Sequence, residues 1–116
     1  MEPETVKIRA FSRIRYDQIK ALNEGDVIYE VGYGTHIRAT LLNAPIEKEV
    51  AGWDDETKTT TALSFDAKTV WANGDGEDVT PYYLTKGMEH YGPKLYTLVE
   101  VDVAPNMAHL DMRIEI

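Results

Sequence analysis

The sequence predicts a mainly β domain, either a small bent antiparallel sheet or an SH3-like barrel, with one short helix near residues 17–23 and an α+β arrangement as the alternative. Short runs of alternating apolar and polar residues recur along the chain, and polar turns rich in glycine and asparagine separate them. Only one stretch has helical spacing. The 116 residues match the usual size of one domain, which we assign to residues 1–116.

The first strand is predicted over residues 5–14, at the start of the chain. Val6, Ile8 and Ala10 alternate there with charged or aromatic residues, which is the period of a strand with one buried face. The other face carries Lys7, Arg9, Phe11 and Arg13. We therefore expect this strand to present a basic face.

The helix is predicted over residues 17–23, where the period changes. Ile19 and Leu22 are three residues apart, as on one face of a helix. Asp17 is the expected N-cap, and Gly25 suits a left-handed residue that ends the helix.

A hairpin is predicted next, with strands over residues 27–31 and 36–42 and a turn at Gly32-Tyr33-Gly34. Asn43-Ala44-Pro45 interrupts the second strand. Because proline is poorly tolerated in a central strand, residues 46–50 are expected to continue that strand after a bend or bulge.

The second half of the chain repeats this alternation around one strong turn. Further strands are predicted over residues 59–65, 69–71, 79–84 and 94–103. The turn over residues 73–78 has the composition that joins two antiparallel strands. Residues 109–116 are expected to form a last short strand or a tail that depends on a partner.

The net charge of −8 limits the classes of partner. It repels phosphate backbones at long range, so duplex nucleic acid is disfavoured and a protein with a basic surface is favoured. The alternative is that the acidity only keeps the protein soluble. Whether the chain forms homo-oligomers is left open.

The N-terminus, Met1-Glu2-Pro3-Glu4, lacks the basic start and apolar run of a signal peptide, and no apolar stretch approaches about 20 residues. The absence of cysteine fits a reducing compartment. A cytoplasmic protein without contact to a membrane is therefore expected.

No catalytic or cofactor motif stands out in the sequence. His36, His90 and His109 lie in separate segments without metal-ligand spacing, and no serine lies in a nucleophile elbow. Asn73, Asp75 and Glu77 match a calcium loop only in part, because its sixth position lacks glycine. We expect a protein that is not an enzyme, with no metal and no cofactor.

The segment from Thr85 to Tyr96 is the strongest candidate for a binding loop. Two glycines and a proline restrict its backbone, while methionine and tyrosine are typical of recognition surfaces. The predicted binding residues are Met88, Glu89, His90, Tyr91, Lys94 and Tyr96, joined by Trp53 and Tyr33. The alternative is that Tyr91 and Tyr96 pack the loop onto the sheet.

A second candidate site combines aromatic rings with arginines of the first strands. The predicted phosphate-binding residues are Arg9, Arg13, Arg15 and Arg38, because guanidinium groups match phosphate geometry. The neighbours Tyr82 and Tyr83 must point to opposite faces of a strand, so at most one of them joins the core.

Residues 25–30 (GDVIYE) and 87–96 (GMEHYGPKLY) resemble small uncharacterised proteins encoded in tailed-phage genomes. The resemblance implies an accessory protein that binds a host or defence component. The sequence thus favours a non-catalytic, phage-encoded binding protein that modulates or inhibits a host macromolecule through an acidic β-scaffold and an aromatic loop. The alternatives are a protein that sequesters a small molecule or nucleotide, and a minor virion or assembly component.

Overall fold

The computed structural model describes residues 4–32, 34–52, 57–74, 76–87 and 92–116. Over these residues the chain forms seven strands, one α-helix and one 3₁₀ helix. The bounds are β1 (Val6–Ile14), α1 (Tyr16–Lys20), β2 (Val27–Gly32), β3 (Thr35–Leu41), β4 (Ile46–Ala51), β5 (Thr59–Trp71), β6 (Glu77–Thr85), β7 (Leu95–Val103) and the 3₁₀ helix (Pro105–Leu110).

All seven strands belong to one antiparallel sheet in the order β1-β7-β2-β3-β5-β4, with β6 also paired to β5. Strand β6 pairs with residues 62–70 of β5. On β5, residues 59–64 also pair with β4 and residues 67–71 also pair with β3. Strands β3 and β4 therefore share the opposite edge of β5. The mainly β prediction is confirmed.

The predicted interruption at residues 43–45 is also confirmed. Leu42 donates a backbone hydrogen bond to Asp66 at 2.8 Å, and the Asp66 amide then donates to the side-chain oxygen Oδ1 of Asn43 at 3.0 Å. The asparagine side chain thus replaces a backbone acceptor where the strand bends. Pro45, which has no amide hydrogen, lies in this gap between β3 and β4.

The main core lies on one face of the sheet, covered at one side by α1. Phe65 of β5 stacks on Tyr82 of β6 with a centroid distance of 5.2 Å. Ile19 and Tyr16 of α1 are buried in the same cluster. The other large members are Ile14, Ile28, Leu41, Leu63, Leu84 and Leu95.

The helix differs from its prediction at both ends. Arg15, rather than Asp17, occupies the N-cap, and its amide donates to the side chain of Gln18 at 3.0 Å. The helix ends at Lys20, because the amides of residues 21 and 22 already bond three residues back, to Gln18 and Ile19. Gly25 has the left-handed conformation that was predicted, but it lies in the following turn.

At two points the structure decides between predicted alternatives. Residues 109–116, expected to form a short strand or a tail, form the end of the 3₁₀ helix and a tail with a single β-bridge at Glu115. Pro105 occupies the first turn of this helix, where its fixed φ and missing amide hydrogen are tolerated. Of the predicted bent sheet and SH3-like barrel, the structure shows the bent sheet, because β1 pairs with neither β4 nor β6 in the described part.

The molecule measures 65 × 31 × 26 Å. Its radius of gyration is 16.9 Å, against about 13 Å for a compact domain of this length. No helix in the described ranges has the length and apolar character to cross a membrane.

Candidate functional site

A cluster of four rings lies on the face of the sheet opposite the main core. Phe11, Tyr29, His36 and Tyr96 come from β1, β2, β3 and β7 in turn. The ring centroid of Phe11 is 5.7 Å from that of Tyr29, 5.4 Å from that of His36 and 6.2 Å from that of Tyr96. Phe11 and Tyr96 are only 2% and 5% exposed, so this face has a small core of its own.

The contact between Phe11 and His36 indicates how strongly the sheet curls. Strands β7 and β2 lie between β1 and β3, which would separate their backbones by about 14 Å in a flat sheet. A ring distance of 5.4 Å across this gap indicates that the sheet bends towards the ring-bearing face.

The C-terminal segment, residues 111–116, closes one side of this cluster. The Phe11 amide donates to the Ile114 carbonyl at 2.9 Å, and the Ile116 amide donates to the Phe11 carbonyl at 3.0 Å. The Tyr96 hydroxyl donates to Glu115 at 3.0 Å. The segment thus covers the free edge of β1 and fixes the rings beneath it.

Two adjoining cavities lie between this segment and strands β2 and β3, and we call them the ring cleft. Their volumes are about 580 and 430 Å³, and His36, Ala72 and Met112 line both. Met112 has a left-handed backbone with φ of 57°, which is uncommon for a residue other than glycine. These volumes fall in the range of small-molecule sites.

Arg9 lies at one side of the ring cleft and is held by Asp111. Its Nη2 and Nε atoms donate to the two carboxylate oxygens at 2.6 and 3.2 Å, and its backbone amide also donates to Asp111, at 2.8 Å. These hydrogen bonds lower the pKa of Asp111 to about 2 and raise the pKa of Arg9. The charge of Arg9 is therefore already paired with the Asp111 carboxylate.

Arg38 lies at the other side of the ring cleft, directly opposite Tyr29 in the β2–β3 pair. It is exposed, and it forms no ion pair within the residues that the structure describes. Arg13 lies over the Tyr96 ring with its guanidinium carbon 6.0 Å from the centroid.

His36 contributes a neutral ring to the cleft. Burial lowers its pKa below 6.5, because the surrounding side chains disfavour the charged imidazolium. A neutral imidazole at pH 7 offers one donor and one acceptor nitrogen. The cleft thus combines aromatic faces, a neutral imidazole and an exposed guanidinium.

Three of the four predicted phosphate-binding arginines lie on one face of the sheet. Arg9, Arg13 and Arg38 lie on the ring-bearing face, whereas exposed Arg15 caps α1. Tyr96 is buried within the ring cluster and Lys94 is exposed. The predicted binding residues Tyr33, Trp53, Met88, Glu89, His90 and Tyr91 lie outside the described residues.

Sequence reasoning missed Phe11, Tyr29, Asp111 and Met112 as members of this site. The signal for Phe11 was its position between Arg9 and Arg13 on the polar face of the first strand, where a large ring needs cover from elsewhere. Asp111 gave no local signal, since its partner lies 102 residues away.

Among the described residues, no group of histidine and acidic side chains has the arrangement of a metal site. No family model, curated protein or solved structure matches the chain.

Proposed function

We propose that the protein is a non-catalytic binding protein whose ring cleft takes an anionic ligand with a planar ring, of the nucleotide class. The observation that carries this proposal is the position of Arg38 beside Tyr29 and His36 along one wall of the cleft. A cation and two ring faces within one cavity match the two parts of such a ligand.

The phosphate would bind to Arg38. Its planar guanidinium presents paired donors that fit phosphate oxygens, and such charge-assisted hydrogen bonds are stronger than neutral ones. Arg9 is less available, because Asp111 already accepts both of its guanidinium hydrogen bonds.

The ring of the ligand would pack against the exposed parts of Tyr29 and His36, both of which are only partly buried. Stacking of a base on an aromatic side chain contributes about 1–3 kcal/mol. Since His36 is neutral at pH 7, it contributes a hydrogen-bonding edge without adding charge.

A thermal-shift experiment tests this proposal with ATP, GTP, adenosine and pyrophosphate as probes. A nucleotide at 100 times its dissociation constant should stabilise the protein by about 2.7 kcal/mol. Adenosine or pyrophosphate at the same concentration should bind more weakly and therefore stabilise the protein less. Arg38→Gln should weaken nucleotide binding about tenfold or more. Arg15→Gln removes the same charge outside the cleft and is the matched control. The absence of any nucleotide-induced shift, or equal losses in the two variants, contradicts the proposal.

The contact with a basic host or defence protein stays a second proposal. The charge of −8 supports it, and so does the composition of residues 85–96. Phage origin, a cytoplasmic location and a role as a minor virion component likewise stay predictions from the sequence.

A further inference from the structure

A small pocket lies at the end of the sheet near Trp71, the last residue of β5. Its volume is about 120 Å³, and it is lined by Glu30, Val31, Gly32, His36, Ile37 and Trp71. A whole small-molecule ligand needs roughly 300–1,000 Å³. The pocket therefore suits the end of a single side chain.

The strand register places its three principal side chains in one row. Glu30 is directly opposite Ile37, and Ile37 is directly opposite Trp71. Directly paired residues share a face of the sheet, so Glu30 and Trp71 flank Ile37 from two strands about 10 Å apart. The row has a carboxylate at one end, an indole at the other and an aliphatic floor between them.

The Glu30 carboxylate is held in place but not neutralised. The Tyr82 hydroxyl donates to its Oε1 atom at 3.1 Å, which orients the group. In the described part of the chain no cation pairs with Glu30. A carboxylate has about four lone-pair sites, so it can accept further donors.

Trp71 is 41% exposed, although tryptophan buries more apolar surface than any other side chain. Indole is also the ring that attracts cations best. The two cation–π contacts of the described residues involve Tyr96 and Tyr16, not Trp71. Asp78, which pairs with Thr69 two residues before Trp71, adds an exposed carboxylate on the same face.

We propose that this pocket binds a lysine side chain of a protein partner. The alkyl stem packs on Ile37 and Trp71, and the ammonium group lies between the indole face and the Glu30 carboxylate. The charge of −8 attracts such a partner at long range. The inference deepens the second proposal, contact with a basic protein. It does not rest on nucleotide binding, because Glu30 and Ile37 do not line the ring cleft, although His36 and Trp71 line both the cleft and the pocket.

The test is an NMR titration of the full chain that follows the indole N–H signal of Trp71, assigned with Trp53→Phe. The probes are N-acetyl-lysine-N-methylamide and the corresponding norleucine compound, which keeps the stem and lacks the ammonium group. The lysine compound should shift the Trp71 signal saturably, and the norleucine compound should bind about tenfold more weakly or not at all.

Glu30→Gln should weaken lysine binding about tenfold, while the glutamine oxygen can still accept the Tyr82 hydrogen bond and preserve the fold. Glu49→Gln removes the same charge from an exposed position on β4 and should change the affinity less than twofold. Equal weakening by both variants would show general charge attraction and overturn the proposal. Equal binding of the two probes, or no shift of the Trp71 signal with the lysine compound, would overturn it as well.

Discussion

Arg9 and Asp111 join two segments that are 102 residues apart along the chain. Both side chains are substantially exposed, and solvent-exposed pairs contribute little when they rest on one contact. This pair instead has three hydrogen bonds, one of them from the Arg9 backbone. Its role is to fix the C-terminal segment beside the ring cleft.

Asp111→Asn should reduce stability in a pH-dependent way. The pKa of Asp111 is about 2 in the folded protein, below its ordinary value of 3.8. The carboxylate therefore adds stability that is fully present above pH 4 and is lost as the pH falls towards 2. Urea unfolding at several pH values should show that the difference in the free energy of unfolding between wild type and variant is largest above pH 4. This difference should decrease as the pH falls towards 2.

Asp102→Asn is the control for this effect. Asp102 forms a single side-chain contact of 3.2 Å with Lys7 on the same pair of strands and no bond to a backbone amide in the described structure. Its substitution should change stability less. A difference for Asp111→Asn that is the same at pH 6 and pH 2 would contradict the assigned role of the carboxylate.

Strands β5 and β6 show how far alternation specifies an element. Tyr82 and Tyr83 were expected on opposite faces, and they are 4% and 48% exposed. Tyr82 stacks on Phe65 and donates to Glu30, and burial together with the Glu30 carboxylate raises its pKa above 10.

Tyr82→Ala should lower the free energy of unfolding by about 3–5 kcal/mol, because it removes a buried ring and leaves a cavity. Tyr83→Ala, one residue along the same strand, should cost about 1 kcal/mol or less. Urea denaturation measures both. Similar losses for the two variants would mean that the register of β6 differs from the one described.

The ring cluster shows why the site was harder to predict than the strands. The alternation of apolar and polar residues that indicates a strand lies within a few neighbouring residues, so the strands around Ile8 and Val99 could be predicted from the sequence. The contact of Phe11 with His36 depends on strand order and sheet curl, which no local pattern encodes. The bend between β3 and β4 could be predicted only in part. Pro45 indicated that the strand is interrupted, but nothing in the sequence indicated that the Asp66 amide bonds to the Asn43 side chain there.

At the scale of the whole molecule, the sheet protects its edges by different means. The C-terminal segment covers β1 through backbone hydrogen bonds to Arg9 and Phe11. Strand β6 carries Pro81, and β4 carries Glu47, Lys48 and Glu49. Proline and charge on edge strands oppose pairing with another chain.

Removal of residues 111–116 should expose the edge of β1 and cause self-association. Sedimentation velocity should show a concentration-dependent species larger than the monomer, with the strand content kept in circular dichroism. Glu115→Gln keeps the backbone hydrogen bonds of the segment and should behave as wild type does. A truncated chain that sediments like wild type at all concentrations would contradict the role of the segment as an edge cover.

The thirteen residues of β5 connect strands that lie towards the two ends of the molecule. The strand pairs with β6 along one edge and with β3 and then β4 along the other. Its two ends also lie far apart, since thirteen extended residues span about 43 Å. Unfolding at either end of the 65 Å molecule therefore breaks hydrogen bonds of β5, and β5 also supports the other end. We expect the sheet to lose its structure as one cooperative unit.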